Sequence, residues 1–211
     1  MCTGDQVTLF NGEGEEIEAT LVRVHSDSAD LVLGVRRKCP VAPVHISLFQ
    51  AIAKGDRMDW ILQKTTELGV ARICPIITSR VVVRLDSAAV HAKQGRWQKV
   101  VQEAARQCGR ADVPEVTVPE HLDTVLAGLP PSSRFVLWEE EHAQPLVHNL
   151  SSCAPNVALL VGPEGGLSEQ EVSKARETDF LPVTLGPRIL RTETAAIVAV
   201  ALVQAATGGL A

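Results

Sequence analysis

The 211-residue chain is 45% hydrophobic and 21% charged, the balance of a globular protein with room for one sizeable domain and a smaller one. No apolar run reaches the roughly 18 residues of a membrane span, and no signal peptide opens the chain, so the expectation is a cytoplasmic protein with no membrane partner. Cys2, Cys39, Cys74, Cys108 and Cys153 are odd in number and form no Cys-x-x-Cys pair, which argues against a disulfide framework and against a zinc site.

In chain order, residues 5 to 35 read as short strands. Gln6 to Phe10 alternates, Asn11-Gly12 is a hairpin signal, Ile17 to Val24 alternates again, and Leu31 to Val35 follows as a third strand. Residues 36 to 43, basic and proline-punctuated, read as a linker. From Val44 strands and helices alternate, which predicts a parallel sheet flanked by helices, an α/β fold. His45 to Ala51 is the first strand of this part. A helix opening at Lys54-Gly55 or Asp56 carries Met58, Ile61, Leu62, Thr65 and Leu68 on one face and stops at Gly69. Ile73 to Ile77 is a strand, and a long helix runs from about Ala88 to Cys108. Phe135 to Trp138, Val157 to Val161 and Pro182 to Leu185 are further strands. A small-residue helix from Thr192 to about Ala206 ends at Gly208-Gly209. Trp60 and Trp97 are read as core residues.

The net charge of −5 is unevenly spread: residues 50 to 115 carry +4, residues 1 to 49 carry −3 and residues 116 to 211 carry −6. A basic island in an acidic chain is either an RNA-facing surface or an ordinary solvated one. Arg96, Lys99, Arg106 and Arg110 lie opposite the apolar stripe of the long helix. Together with Lys54, Arg57, Lys64, Arg80 and Arg84 they form the candidate RNA surface, where contacts of this kind hold phosphates rather than read bases.

Two loops carry most of the chemistry. Gly162-Pro-Glu-Gly-Gly-Leu-Ser168-Glu-Gln-Glu171 and Leu185-Gly-Pro-Arg-Ile-Leu-Arg191-Thr-Glu-Thr194-Ala195 each follow a buried strand and precede a helix. Such loops, beyond the carboxyl ends of parallel strands, are where α/β sheets bind ligands, so the pair is read as two walls of one pocket. A nucleotide polyphosphate fits poorly. Leu167 stands where a P-loop has lysine's preceding glycine, no cation follows until Lys174, and no Gly-x-Gly-x-x-Gly occurs. Glu164 brings negative charge, and Ser168 with Glu171 forms a capping box that occupies the helix's free N–H groups. An adenosine without phosphates, held by backbone groups, remains compatible.

These loops resemble those of the 16S ribosomal RNA uracil-N3 methyltransferases, a branch of the SPOUT (trefoil-knotted) enzymes that use S-adenosylmethionine. So do Lys54-Gly-Asp-Arg-Met-Asp-Trp60-Ile-Leu-Gln-Lys64-Thr-Thr-Glu67-Leu-Gly69, Ser79-Arg80-Val-Val, Arg96-Trp97 and Glu103-Ala-Ala-Arg-Gln107-Cys-Gly-Arg110. The ordered blocks cover roughly residues 5 to 205. The resemblance implies a SPOUT-type trefoil-knotted parallel sheet over residues 44–211. It also implies a small PUA-like, RNA-binding β domain over 1–40, incomplete because the family has further strands ahead of Gly4. A homodimer, with the terminal helix near its interface, and 16S ribosomal RNA of the small ribosomal subunit as partner follow from the same likeness.

The resemblance further implies that S-adenosylmethionine is held by Leu160, Val161, Gly162, Pro163, Glu164 and Gly166 from the first loop. From the second it implies Leu185, Gly186, Ile189, Leu190, Arg191, Thr194 and Ala195. Methylating N3 of uracil requires removal of a weakly acidic proton or stabilisation of the anion left behind. Arg191 suits the anion, and Glu193 or Glu164 the proton. The plainer alternatives are that Arg191 and Glu193 satisfy one another and that Glu164 bonds backbone amides and stiffens its turn. Two other functions stay open: a SPOUT enzyme with another target atom, or a noncatalytic RNA-binding ribosome-assembly protein. The six histidines show no ligand spacing, and no metal is expected.

Overall fold

The computed structural model describes residues 1–81, 87–139, 143–151 and 153–210, and within these no side-chain placement for 87–89. Arg84 lies outside the described residues. Two compact units emerge, residues 1–41 with 105–113, and residues 42–104 with 114–211.

The first unit is built on an antiparallel sheet of β1 (Gln6–Phe10), β2 (Glu15–Val24) and β3 (Ala29–Lys38), in the order β1-β2-β3. Asn11 closes the first hairpin, its Oδ1 accepting from the N–H groups of Glu13 at 2.8 Å and Glu15 at 3.1 Å, the local bonding that makes asparagine a turn residue. β3 runs on through Arg36, Arg37 and Lys38, where a linker was expected. These residues pair with Ile17, Glu16 and Glu15, and the opposite charges attract across the strands, Arg37 Nη1 lying 3.1 Å from Glu18 Oε1 and Arg36 Nη1 3.5 Å from Glu15 Oε2. The segment after the long helix joins this unit: Val113 N–H donates to Gly12 O at 3.0 Å and Gly14 N–H to Ala111 O at 3.1 Å.

The second unit contains β4 (His45–Ala51), α1 (Arg57–Glu67), β5 (Arg72–Ile77), α2 (Ser87–Cys108, whose last turn belongs to the first unit), β6 (Glu115–Val116), β7 (Glu120–His121) and α3 (Leu122–Leu126). It continues with β8 (Ser133–Leu137), β9 (Gln144–Pro145), a 3-10 turn (Leu146–Asn149), β10 (Asn156–Val161), α4 (Glu169–Glu177), β11 (Leu181–Thr184) and α5 (Thr192–Thr207). The sheet order is β6-β5-β4-β10-β8-β11-β9, with β7 also on β5, and every pairing is parallel. β10 lies between β4 and β8, and Val157 to Val161 are all buried, as expected of a strand covered on both faces. The two-residue strands and α3 are too short to leave a periodic signal in the sequence.

Helix ends follow local chemistry. At α4 the expected capping box forms: Glu171 N–H donates to Ser168 Oγ at 3.3 Å, and Ser168 N–H donates to Glu171 Oε2 at 2.8 Å. At the C-terminus of α5, Gly208 takes φ +82°, the left-handed turn that releases the chain from a helix. Trp97 is buried as expected, but Trp60 is 52% exposed, with Lys64 Nζ 5.1 Å from its ring centre. The buried stripe of α1 consists of Met58, Ile61, Leu62, Thr65 and Thr66, and Trp60 points away from it. Among the described residues, no helix is long and apolar enough to cross a membrane.

Candidate active site

Because the sheet is parallel, the carboxyl ends of β8, β10 and β11 open to one side, and their loops enclose a cleft of about 1180 Å³. The loop after β10 supplies Gly162 to Leu167. The loop after β11 supplies Leu185 to Arg191, and the start of α5 supplies Thr192, Glu193 and Ala195. Both expected walls therefore face one cavity.

Thr192 ties the walls together. Its Oγ1 donates to Gly162 O at 2.6 Å and accepts from Gln50 Nε2 at 3.0 Å, while the same Nε2 donates to Ala51 O at 2.9 Å. The end of β4, the end of β10 and the N-terminus of α5 are thus fixed to one another by buried hydrogen bonds, which strengthen away from water. Neither Thr192 nor Gln50 stood out in the sequence, because the bond joins residues 142 positions apart.

The glycine-rich wall is braced from β5. Arg80 Nη1 donates to Gly165 O at 2.8 Å and Leu167 O at 3.1 Å, so this guanidinium, named for RNA from its charge, turns onto the loop. Beside it, Ser79 N–H donates to Glu171 Oε1 at 2.7 Å. Burial by itself would raise the Glu171 carboxyl, but donation from the Ser168 and Ser79 N–H groups outweighs it and holds the group below its ordinary value.

Two carboxylates flank Arg57. Glu164 Oε1 accepts from Lys54 N–H at 2.9 Å and from Arg57 Nη1 at 2.7 Å. Partial burial pushes the Glu164 carboxyl up, yet bonds from the Lys54 backbone and its own backbone N–H, then from Arg57, bring it below the usual range. Glu193, 15% exposed, has Arg57 Nε 3.9 Å from Oε1, and its buried Oε2 has no hydrogen-bond partner among the described residues. Arg191, the N-cap of α5, is exposed at the pocket and does not pair with Glu193.

Of the residues named from sequence for the cofactor, Leu160 is wholly buried within β10 and Thr194 is exposed on α5, and neither lines the cleft; the others do. A third wall went unnamed, formed by Leu137 and Trp138 at the end of β8 together with Val183 and Thr184. These residues fall within the expected strands Phe135 to Trp138 and Pro182 to Leu185, and nothing local marks them as facing a ligand. Lys99 and Arg106 are exposed on α2, Arg96 pairs with Asp59, Arg110 Nη2 lies 2.5 Å from Asp112 Oδ2, and Lys64 Nζ lies 2.8 Å from Glu67 Oε1.

A cleft beyond the carboxyl ends of a parallel sheet, lined by loop backbone with carboxylates and arginines, is where α/β enzymes of this architecture hold small-molecule ligands. Residues 40–204 match the RNA methyltransferase domain family. The ribosomal RNA small subunit methyltransferase E of Bacillus subtilis is 34% identical over 97% of this chain and 83% of its own length. That of Mycobacterium tuberculosis is 31% identical over 97% and 79%. The chain belongs to the ribosomal RNA small subunit methyltransferase E family, within the SPOUT methyltransferases. Two solved structures with bound S-adenosylmethionine are similar throughout. A Legionella pneumophila methyltransferase gives a TM-score of 0.90 at 38% identity over 98% of this chain and 85% of that one. The Neisseria gonorrhoeae ribosomal RNA small subunit methyltransferase E gives 0.89 at 36% over 97% and 84%.

Proposed function

We propose that this protein transfers a methyl group from S-adenosylmethionine to N3 of one uridine in 16S ribosomal RNA. The observation that carries the proposal is the two-loop cleft locked by Thr192 between Gly162 and Gln50. Its walls offer backbone groups and small residues for adenosine, and the N-terminus of α4 is already capped by the Ser168–Glu171 box. Carboxylates at Glu164 and Glu193 suit a cofactor that bears positive charge. Val161, Gly162, Pro163, Gly166, Leu185, Gly186, Ile189 and Leu190 form the cofactor surface in this reading.

Bound S-adenosylmethionine supplies a methyl group activated by a sulfonium. The chain supplies position and charge: the locked loops fix the acceptor nitrogen behind that methyl group, and Arg191 donates to a carbonyl oxygen of the uracil as negative charge grows there. Glu193 and Glu164 are the carboxylates within the site that can take the N3 proton.

The remaining features belong to the same proposal. Residues 1–40 serve as a PUA-like RNA-binding unit, residues 44–211 form a trefoil-knotted catalytic domain, and two copies associate in the cytoplasm. The parallel strand order and the anchored start of α5 after the 185–191 loop support the knot. Arg96, Lys99, Arg106 and Arg110 contribute phosphate contacts. The test is to incubate the protein with S-adenosylmethionine and small ribosomal subunits from a strain lacking the enzyme, then map the RNA by mass spectrometry. One N3-methyluridine in 16S RNA is the expected product; a ribose methyl, or no methyl, overturns the proposal.

A further inference from the structure

Of the carboxylates that line the cleft, Glu164 and Glu193 both approach Arg57 but stand in unlike surroundings. Glu164 Oε1 already accepts from Lys54 N–H and Arg57 Nη1, so little of its capacity remains for a substrate proton. Glu193 sits in the first turn of α5 with only the 3.9 Å approach of Arg57 at Oε1, and Oε2 is buried and unpaired among the described residues. A carboxylate oxygen shut away from water without a donor is unfavourable. A donor carried in by the substrate removes that deficit.

The geometry points to Glu193 as the group that recognises and removes the imide proton of the target base, with Arg57 as the positioning residue that ties Glu164 to the start of α1. The inference rests on the methyltransferase reading above and adds to it a basis for choosing the base. Uracil presents N3–H between two carbonyls, a donor that a carboxylate accepts. Cytosine presents a lone pair at N3, which the same carboxylate repels, and a site that needs a donor rejects a base lacking one.

The step balances with the parts already named. The N3 proton passes to the Glu193 carboxylate, and the N3 electron pair forms the N–CH3 bond as the S–CH3 bond breaks. The electron pair of the broken bond stays on sulfur, giving a neutral thioether, and Glu193 returns the proton to water. The charged groups that share the cleft with Glu193 are Arg57 from α1, Arg80 beyond β5, Glu139 beyond β8, Glu164 beyond β10, and Arg188 and Arg191 beyond β11.

The test uses the full chain, S-adenosylmethionine and ribosomal RNA carrying either uracil or 5-fluorouracil, whose N3–H is the stronger acid. Glu193→Gln is expected to bind S-adenosylmethionine within a few-fold of wild type and to lose roughly a hundredfold or more in kcat, the range of general-base catalysis. Its residual rate should rise with pH where the wild-type rate is flat, and fluorination should restore more of the rate in the variant than in the wild type. Glu193→Asp, which keeps a carboxylate, should retain the flat profile at reduced kcat, and it serves if the glutamine variant folds poorly. An equal deficit on both RNAs at every pH overturns the inference, because a structural defect is indifferent to N3 acidity. So does a differential recovery in Glu164→Gln as large as that in Glu193→Gln, because the proton would then not belong to Glu193 in particular. A wild-type protein that methylates uracil on neither RNA sinks the proposed function and this inference with it, whereas an active wild type without differential recovery sinks only the inference.

Discussion

Arg191 and Glu164 show how neighbouring charges acquire different tasks from their partners. Arg191 caps α5 with its backbone, while its guanidinium stands exposed at the cleft, paired with no carboxylate among the described residues. Removing it leaves the loops' own hydrogen bonds intact. Arg191→Ala should therefore keep S-adenosylmethionine affinity within a few-fold by calorimetry and lower kcat by about 10²–10³, the loss typical of one anion-stabilising donor; near-normal turnover would return Arg191 to a structural role. Glu164, by contrast, is bound twice over, and its carboxyl is held below the ordinary value, as is that of Glu171. Both therefore take up protons more readily in the unfolded chain than in the folded one. Their contribution is complete above the unfolded carboxylate value of about 4.3 and is lost as pH falls through the lower folded values. Urea melts across the acid range should show a shallower acid limb for Glu164→Gln and Glu171→Gln than for wild type, and an identical limb would mean that these bonds do not hold in solution.

At the scale of elements, the glycine-rich loop is a rigid wall because it is tied at both ends and in the middle. Thr192 holds Gly162 O, Arg80 holds Gly165 O and Leu167 O, and Glu171 links the α4 cap to Ser79. A side chain at Gly162 has no room within that turn: its Cβ would come 3.1 Å from Leu167 Cγ and from Leu167 N, and 3.3 Å from Gly166 C. Gly162→Val should thus displace the loop and reduce S-adenosylmethionine affinity at least about tenfold, a loss of about 1.4 kcal/mol, while the melting profile stays cooperative; unchanged affinity in the folded variant would remove this wall from the site. Much of this element was legible beforehand, since strand, glycines and the Ser168–Glu171 box are all local signals. The role of Arg80 was not legible, because charge alone does not tell a solvated arginine from one that bonds carbonyls 85 residues away. The extension of β3 through Lys38 escaped for a similar reason, its partners lying back at Glu15 to Ile17. Trp60 is different: the spacing of Met58, Ile61, Leu62 and Thr65 already placed it on the opposite face of α1, and residue type was allowed to outweigh periodicity.

For the whole molecule, the packing of α5 changes where a dimer contact would form. Ala195, Ala196 and Ala199 are buried within the protomer with Val200 and Val203, so the smallest face of the helix is spent on the core. Ile197, Val198, Ala201 and Leu202 remain half-buried, and Ala205 and Ala206 are exposed. That outward apolar stripe covers the second half of α5, and an apolar surface left in water favours association. The proposed dimer should therefore depend on Ile197 and Ala201, one turn apart on the same side. Placing a charge there forces its desolvation on association, which an unpaired carboxylate resists strongly. Wild-type protein at micromolar concentration should sediment at about twice 22.6 kDa, and Ala201→Glu should shift it towards the monomer without lowering the monomer's helix content. If both proteins sediment near 22.6 kDa, the dimer is removed from the proposal; if both remain dimeric, the contact lies on another face. Because Glu193 and Arg191 begin the same helix, measuring kcat beside the sedimentation shows whether association also sets the geometry of the cleft. Loss of turnover in step with loss of dimer would mean that it does, and an active monomer would confine the contact to assembly.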